Sequence, residues 1–205
     1  MTKVLMKKAL VVLCVLALLV SITACGAGKP SPTDVAESFF TALQNFDEEK
    51  MATVYLGENL DLAGDLLQED PQDEFTQQMT EQLLVKLLDF DYELSNEVID
   101  GDRATVDVTI TQWSIGSMFI SFLQDYFTRA MELAMDGATE AEISEFAFVV
   151  LSEKMEEMQK DFIKSATLEL EQVDGQWMVS IIAEDSDMFD ALTGGMISAM
   201  TQFGN

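Results

Sequence analysis

Apolar positions recur with a helical period up to Phe90 and with a strand period from Tyr92, and the alternation of the two beyond that outlines the fold. Ser31-Pro32 opens a helix, with Ser31 as N-cap, Pro32 at the first helical position and Asp34 in the first turn. Val35, Phe39, Ala42, Leu43 and Phe46 then form one stripe, and Asp47 caps a second helix reaching about Tyr55. After an irregular stretch from Gly57 to Leu67, Asp70-Pro71 marks another helix start. Phe75, Met79, Leu83, Leu87 and Phe90 follow at steps of three and four, the spacing of one helix face.

Period two takes over at Tyr92. Tyr92, Leu94 and Val98 alternate with Glu93, Ser95 and Glu97, and Ala104, Val106, Val108 and Ile110 alternate with Thr105, Asp107 and Thr109. With Asp100-Gly101-Asp102 between them, the two runs predict a β-hairpin. Hydrophobic phase sets its register: Val98 opposite Ala104 places Leu94 opposite Val108 and leaves a three-residue loop, Asp100 to Asp102. A second hairpin turns at Asp174-Gly175, a pair suited to the tight type I′ turn, and sets Leu170 opposite Val179 and Leu168 opposite Ile181.

Two long helices separate the hairpins. Ile115, Met118, Phe119, Phe122, Tyr126, Ala130 and Leu133 keep helical phase until Asp136-Gly137. Thr139 and Glu142 form a capping box for the next helix, which carries Ile143, Phe146, Val150, Leu151, Met155, Met158 and Phe162. Asp185-Ser186-Asp187 starts a terminal helix with Phe189, Leu192, Met196, Met200 and Phe203 on one side; Gly194-Gly195 weakens it by roughly 1 kcal/mol per glycine. The expected class is α+β: N-terminal helices on a curved four-stranded antiparallel sheet of two hairpins, a two-helix insertion between the hairpins, and a C-terminal helix.

Ahead of this domain, Lys3, Lys7 and Lys8 precede an uninterrupted apolar run from Ala9 to Val20, which is too short to span a bilayer and the length of a secretory h-region. Ile22-Thr23-Ala24-Cys25 follows. This resembles the lipobox of bacterial lipoproteins, and the resemblance implies cleavage before Cys25, a diacylglyceryl group on its thiol, and attachment to the extracytoplasmic face of the cell membrane. An ordinary signal peptide or an uncleaved anchor remains an alternative on the residues alone. The expected organisation is a signal peptide over residues 1–24, a lipidated Cys25 and tether over 25–32, and one α+β domain over 33–205 with its helical insertion at about 115–164. Cys14 leaves with the leader, so no intramolecular disulfide is expected. Two or three acyl chains anchor stably where one is marginal, and Gly26 to Thr33 reaches at most ~30 Å.

Charge narrows the partners. The chain has 11 Lys+Arg against 37 Asp+Glu, and losing the three leader lysines leaves 8 against 37. Nucleic acid is excluded as a partner for want of a basic footprint, and anionic headgroups would be repelled. No histidine occurs, which removes Ser-His and Cys-His pairs and the two-histidine metal triad. No Gly-rich phosphate loop is present, no cofactor is implied, and the chain is not expected to be an enzyme. Glu69, Asp70, Asp73 and Glu74, and Glu184, Asp185, Asp187 and Asp190, cluster as calcium ligands would, but they lack EF-hand spacing and sit where acids stabilise helix starts.

The strand pairs "VIDGDRATVDVTI" and "LELEQVDGQWMVS", preceded by "TDVAESFFTALQNFDEEKMATVY", resemble the cystatin-like cone of the nuclear-transport-factor-2-like superfamily, as found in lipoproteins of Gram-positive bacteria. That superfamily holds enzymes, carriers and interaction modules, so the resemblance implies a fold and no activity. The inserted helices are rich in Met and Phe. Met118, Phe119, Phe122, Tyr126, Phe148, Met155 and Met158 are the candidate ligand-contacting residues, either as core or as an adaptable apolar groove. Two expectations follow: a membrane-anchored, non-catalytic binding or interaction module for an unknown protein, or a carrier of a small apolar or lipid-like ligand. Trp113 is expected to cover the second sheet face, and Trp177 to be core.

Overall fold

The computed structural model describes residues 29–58, 60, 62 and 74–203, with backbone alone for residues 74–76. Among these, seven helices and four strands follow in order: α1 (Pro32–Gln44), α2 (Glu48–Val54), α3 (Glu74–Leu88), β1 (Asp91–Asp100), β2 (Arg103–Gln112), α4 (Ile115–Met135), α5 (Glu140–Glu157), β3 (Phe162–Val173), β4 (Gln176–Val179), α6 (Asp187–Leu192) and α7 (Met196–Phe203). The strands form one open antiparallel sheet in the order β1-β2-β3-β4. The α+β class holds. The expected leader, Cys25, Asp70-Pro71 and most of the stretch from Gly57 to Leu67 lie outside the described residues.

Caps start the helices where the sequence puts them. Ser31 and Asp34 exchange backbone-to-side-chain hydrogen bonds at 2.8 and 3.1 Å, Asp47 accepts from the Lys50 N–H at 2.9 Å, and Thr139 and Glu142 close the second capping box. Helix α1 lays Phe39 and Phe40 on the sheet, where they meet Ala104, Val106, Val108 and Ile110 of β2 and Leu168 and Leu170 of β3. Phe40 packs at a tilt against Tyr92 and meets Phe90 edge-on. Trp177 is core, as expected. Phe46 is not: α1 ends at Gln44, and Phe46 takes φ 53° in the turn that lets the Asp47 N–H reach the Ala42 carbonyl, which leaves its ring exposed.

The first hairpin corrects the expected register. Leu94 does face Val108, but Val98 pairs with Thr105 and Ile99 with Ala104, and the loop is the two-residue Gly101-Asp102. A bulge between Ser95 and Val98, with Asn96 at φ 51°, inserts the residue that shifts the phase. Beyond it Val98 and Ile99 are both exposed. In the second hairpin Leu170 pairs with Val179 across Asp174-Gly175, both residues at positive φ as a type I′ turn requires. Its strand stops at Val179, so Ile181 has no partner opposite Leu168 and is exposed.

Two further boundaries move. The chain rejoins the sheet at Phe162, so residues 162–164 belong to β3 and not to the insertion. The terminal helix is two helices, broken where Gly194 and Gly195 adopt φ 62° and 81°. The break is obligatory here. A Cβ on Gly194 would drive into the Trp113 carbonyl oxygen, and one on Gly116 into the Gly195 carbonyl, so backbone meets backbone where α7 lies against α4.

Candidate functional site

The end of the sheet where β2 leaves and β3 returns gathers the chemistry. Gln112 is fully buried in the core phase of β2. Its Nε2 donates to the Leu87 carbonyl at 3.0 Å and the Leu192 carbonyl at 2.9 Å, and its Oε1 accepts from the Trp113 N–H at 2.8 Å. One amide thus caps the C-terminal ends of α3 and α6.

Lys164 also occupies the core phase, opposite Ile110. Its ammonium bridges Asp187 and Asp190, each at 2.8 Å. Asp190, whose side chain is 3% exposed, also accepts from the Ser198 N–H at 2.9 Å and hydroxyl at 2.6 Å. Burial pushes the Asp190 carboxyl up, but its bonds to Lys164 and Ser198 outweigh that and hold it below the usual range. Burial likewise opposes the Lys164 charge, and Asp187 and Asp190 more than restore it, so the lysine sits above its ordinary value. The acidic cluster around Asp187 and Asp190 therefore already holds a cation, the protein's own ammonium. Among the described residues no group of three or more acids or cysteines forms a metal site. Of the other acidic cluster, Glu69, Asp70 and Asp73 lie outside the described residues and Glu74 is described by backbone alone.

Trp113 caps the second sheet-end cluster. It packs against the cluster formed by Met79, Leu87, Ile115, Met118, Met155 and Met158, its Nε1 donates to Asp89 at 3.0 Å, and the Lys86 ammonium lies 3.5 Å above the ring centroid. Lys160 reaches Asp89 at 2.9 Å and Asp91 at 3.1 Å. Hydrogen bonds from Lys160 and then Trp113 hold the Asp89 carboxyl below its usual value.

The seven candidate ligand-contacting residues do not form one site. Met118, Met155 and Met158 are buried in the packed cluster under Trp113, where α3, α4 and α5 meet. Phe119, Phe122 and Tyr126 run up α4 as a ladder of rings 6.3 and 5.7 Å apart, half-buried. Phe148 lies two turns before Met155 on α5, where it lines an open hollow with Ala141, Glu145, Val149, Glu153 and Glu156.

Three residues that matter most here, Gln112, Lys164 and Ser198, are absent from the sequence reading. The first two carried a legible signal: each is a polar residue in the apolar phase of its strand. Ser198 carried none.

Helix α4 has a second apolar face. Phe127, Met131 and Met135 are 53%, 67% and 84% exposed, and with half-buried Ile120 and Leu123 they form a stripe at helical spacing. Contacts with α5 use other sides of α4: Asp125 pairs with Lys154 at 2.8 Å, and the Arg129 guanidinium lies 5.6 Å from the Phe146 ring centroid. No helix among the described residues is long and apolar enough to cross a membrane.

No family model matches the chain, and no curated protein matches it. Among solved structures it is similar to a protein of Bacillus subtilis subsp. subtilis str. 168, described as a "putative lipoprotein (ycdA)", at 12% identity and a TM-score of 0.51. The match covers 80% of this chain and 56% of that one, so the chain spans little more than half its neighbour's length. At that identity the likeness is one of fold, and the fold is one that a Bacillus protein so described also uses.

Proposed function

We propose that this chain is a lipid-anchored, non-catalytic interaction module held on the extracytoplasmic face of the cell membrane through Cys25. The observation that carries the interaction reading is how the Met- and Phe-rich helices divide. Their root, Met118, Met155 and Met158, is spent on the core, while the distal half of α4 presents Phe127, Met131 and Met135 at the surface. A carrier needs those side chains turned inward around a cavity, and a module that docks needs them outside. The layout of α1 across the sheet is compatible with a cystatin-like cone, which we carry as part of the same reading.

The polar clusters support a non-catalytic role. Ser198 and Lys164 meet on the same Asp190 carboxylate, but a lysine held charged by two carboxylates cannot take the serine's proton. Asp89 and Asp190 are both held below the usual carboxylate range, the opposite of what a general acid needs.

The anchor is tested by fractionation. Cys25→Ala should move the protein from the membrane fraction to the soluble one or arrest it with its leader attached, and wild type should yield an N-terminal peptide carrying diacylglycerol. A wild-type N-terminal peptide without lipid, or Cys25→Ala retained in the membrane with its leader removed, would refute lipid anchoring.

A further inference from the structure

We infer that the outer stripe of α4 is the docking face of this module, and that it takes an amphipathic helix whose apolar side is flanked by Lys or Arg. The inference rests on the interaction reading above and adds the face and the chemistry of the partner.

The occupant follows from charge. Between Ile115 and Glu157 the helical pair carries Asp125, Glu132, Asp136, Glu140, Glu142, Glu145, Glu153, Glu156 and Glu157 against Arg129 and Lys154. Both cations are committed within the pair, Arg129 to the Phe146 ring and Lys154 to Asp125 and Glu157. Glu132 and Asp136 directly follow Met131 and Met135 in the chain, so a surface that buries the stripe meets acid at its distal end. A second copy of the chain would add like charge to like charge. An anionic bilayer would do the same. A helix with cationic flanks gains on both counts: its apolar side covers the stripe, and its charges meet glutamates that have no internal partner cation. Met at two of the three exposed positions suits such a face, because an unbranched thioether re-packs against different partners.

The test uses the full chain in detergent and two fluorescent helical peptides of about 18 residues, identical in their leucine stripe and flanked by lysine in one and glutamate in the other. The lysine peptide should bind wild type and the glutamate peptide should not. Met131→Glu should weaken the lysine peptide by about tenfold or more, whereas Ser144→Glu, exposed on α5 and off the stripe, should leave it within about twofold. The pair is decisive because each variant adds one negative charge, which attraction alone would turn into equal or tighter binding. Equal binding by all three proteins would overturn the proposal, since the acidic surface would then attract the peptide anywhere. So would failure to bind, or self-association of the chain that Met131→Glu abolishes, which would make the occupant a second copy. None of these outcomes touches the Cys25 fractionation, so the anchor and the docking face fail separately.

Discussion

Replacing Gln112 by Met keeps the length and approximate volume of the side chain and removes every hydrogen bond it makes. The change strands three buried backbone groups: the Leu87 and Leu192 carbonyls, which end α3 and α6, and the Trp113 N–H. A buried polar group left without a partner costs about 1–3 kcal/mol. Water reaching the helix ends would relieve part of the sum, so the expected loss is about 3–5 kcal/mol, large among single substitutions. With a urea slope of about 2 kcal/mol/M, the midpoint should fall by about 1.5–2.5 M at unchanged slope. Equilibrium urea unfolding followed by tryptophan fluorescence measures this directly, since Trp113 and Trp177 both sit in packed environments. Gln112→Glu should be at least as damaging, because a carboxylate cannot donate to either carbonyl. A loss under about 1 kcal/mol for Gln112→Met would refute the reading that one amide ties α3, β2 and α6 together.

Two further substitutions test the same end of the domain. Lys164→Met leaves Asp190 buried without its cation and should cost about 3 kcal/mol in thermal or urea unfolding. It should also change the pH profile. The wild-type Asp190 carboxyl is held low, so its contribution is complete above the ordinary unfolded value of about 3.9 and is lost only as pH falls through the lower folded value. In Lys164→Met that acid-labile contribution shrinks, so the stability gap between the two proteins should narrow as pH falls below about 3.9, and a gap that does not change with pH would show that Lys164 does not hold Asp190 ionised. Gly194→Ala forces both a positive φ and a clash with the Trp113 carbonyl. It should detach α7, seen as amide exchange in Met196–Phe203 while the sheet stays protected; unchanged protection there would refute the close approach.

Most of this architecture was legible because local chemistry and hydrophobic phase agreed. Ser31-Pro32, Asp47 and Thr139 with Glu142 start helices where their side chains cap them. Asp174-Gly175 fixes the second hairpin because the only short loop that keeps Leu170 and Val179 on one face is also the loop this pair favours. The first hairpin misleads for the same reason inverted. Asn96 in a bulge changes the phase mid-strand, and a pattern reading that assumes unbroken alternation moves the discrepancy into the loop. The terminal helix was legible as apolar periodicity, but its break depends on which backbone Gly194 meets, a contact some eighty residues away in sequence.

The candidate site was less legible. Met and Phe content does not separate Met118, Met155 and Met158 from Phe127, Met131 and Met135, and only burial divides core from surface. The acidic cluster at Asp187 and Asp190 read as helix-start acids, and its ion pair was not legible because the partner, Lys164, lies on another element.

The account is tested most directly by the intact mass of the protein purified from its own membranes, taken first under native conditions and then denatured. It predicts a chain beginning at Cys25 that carries covalent diacylglycerol, with no further small-molecule mass lost on denaturation. An unprocessed chain or an unmodified Cys25 would contradict the anchor. A reproducible excess of a few hundred daltons that vanishes on denaturation would contradict the interaction module and make the protein a carrier.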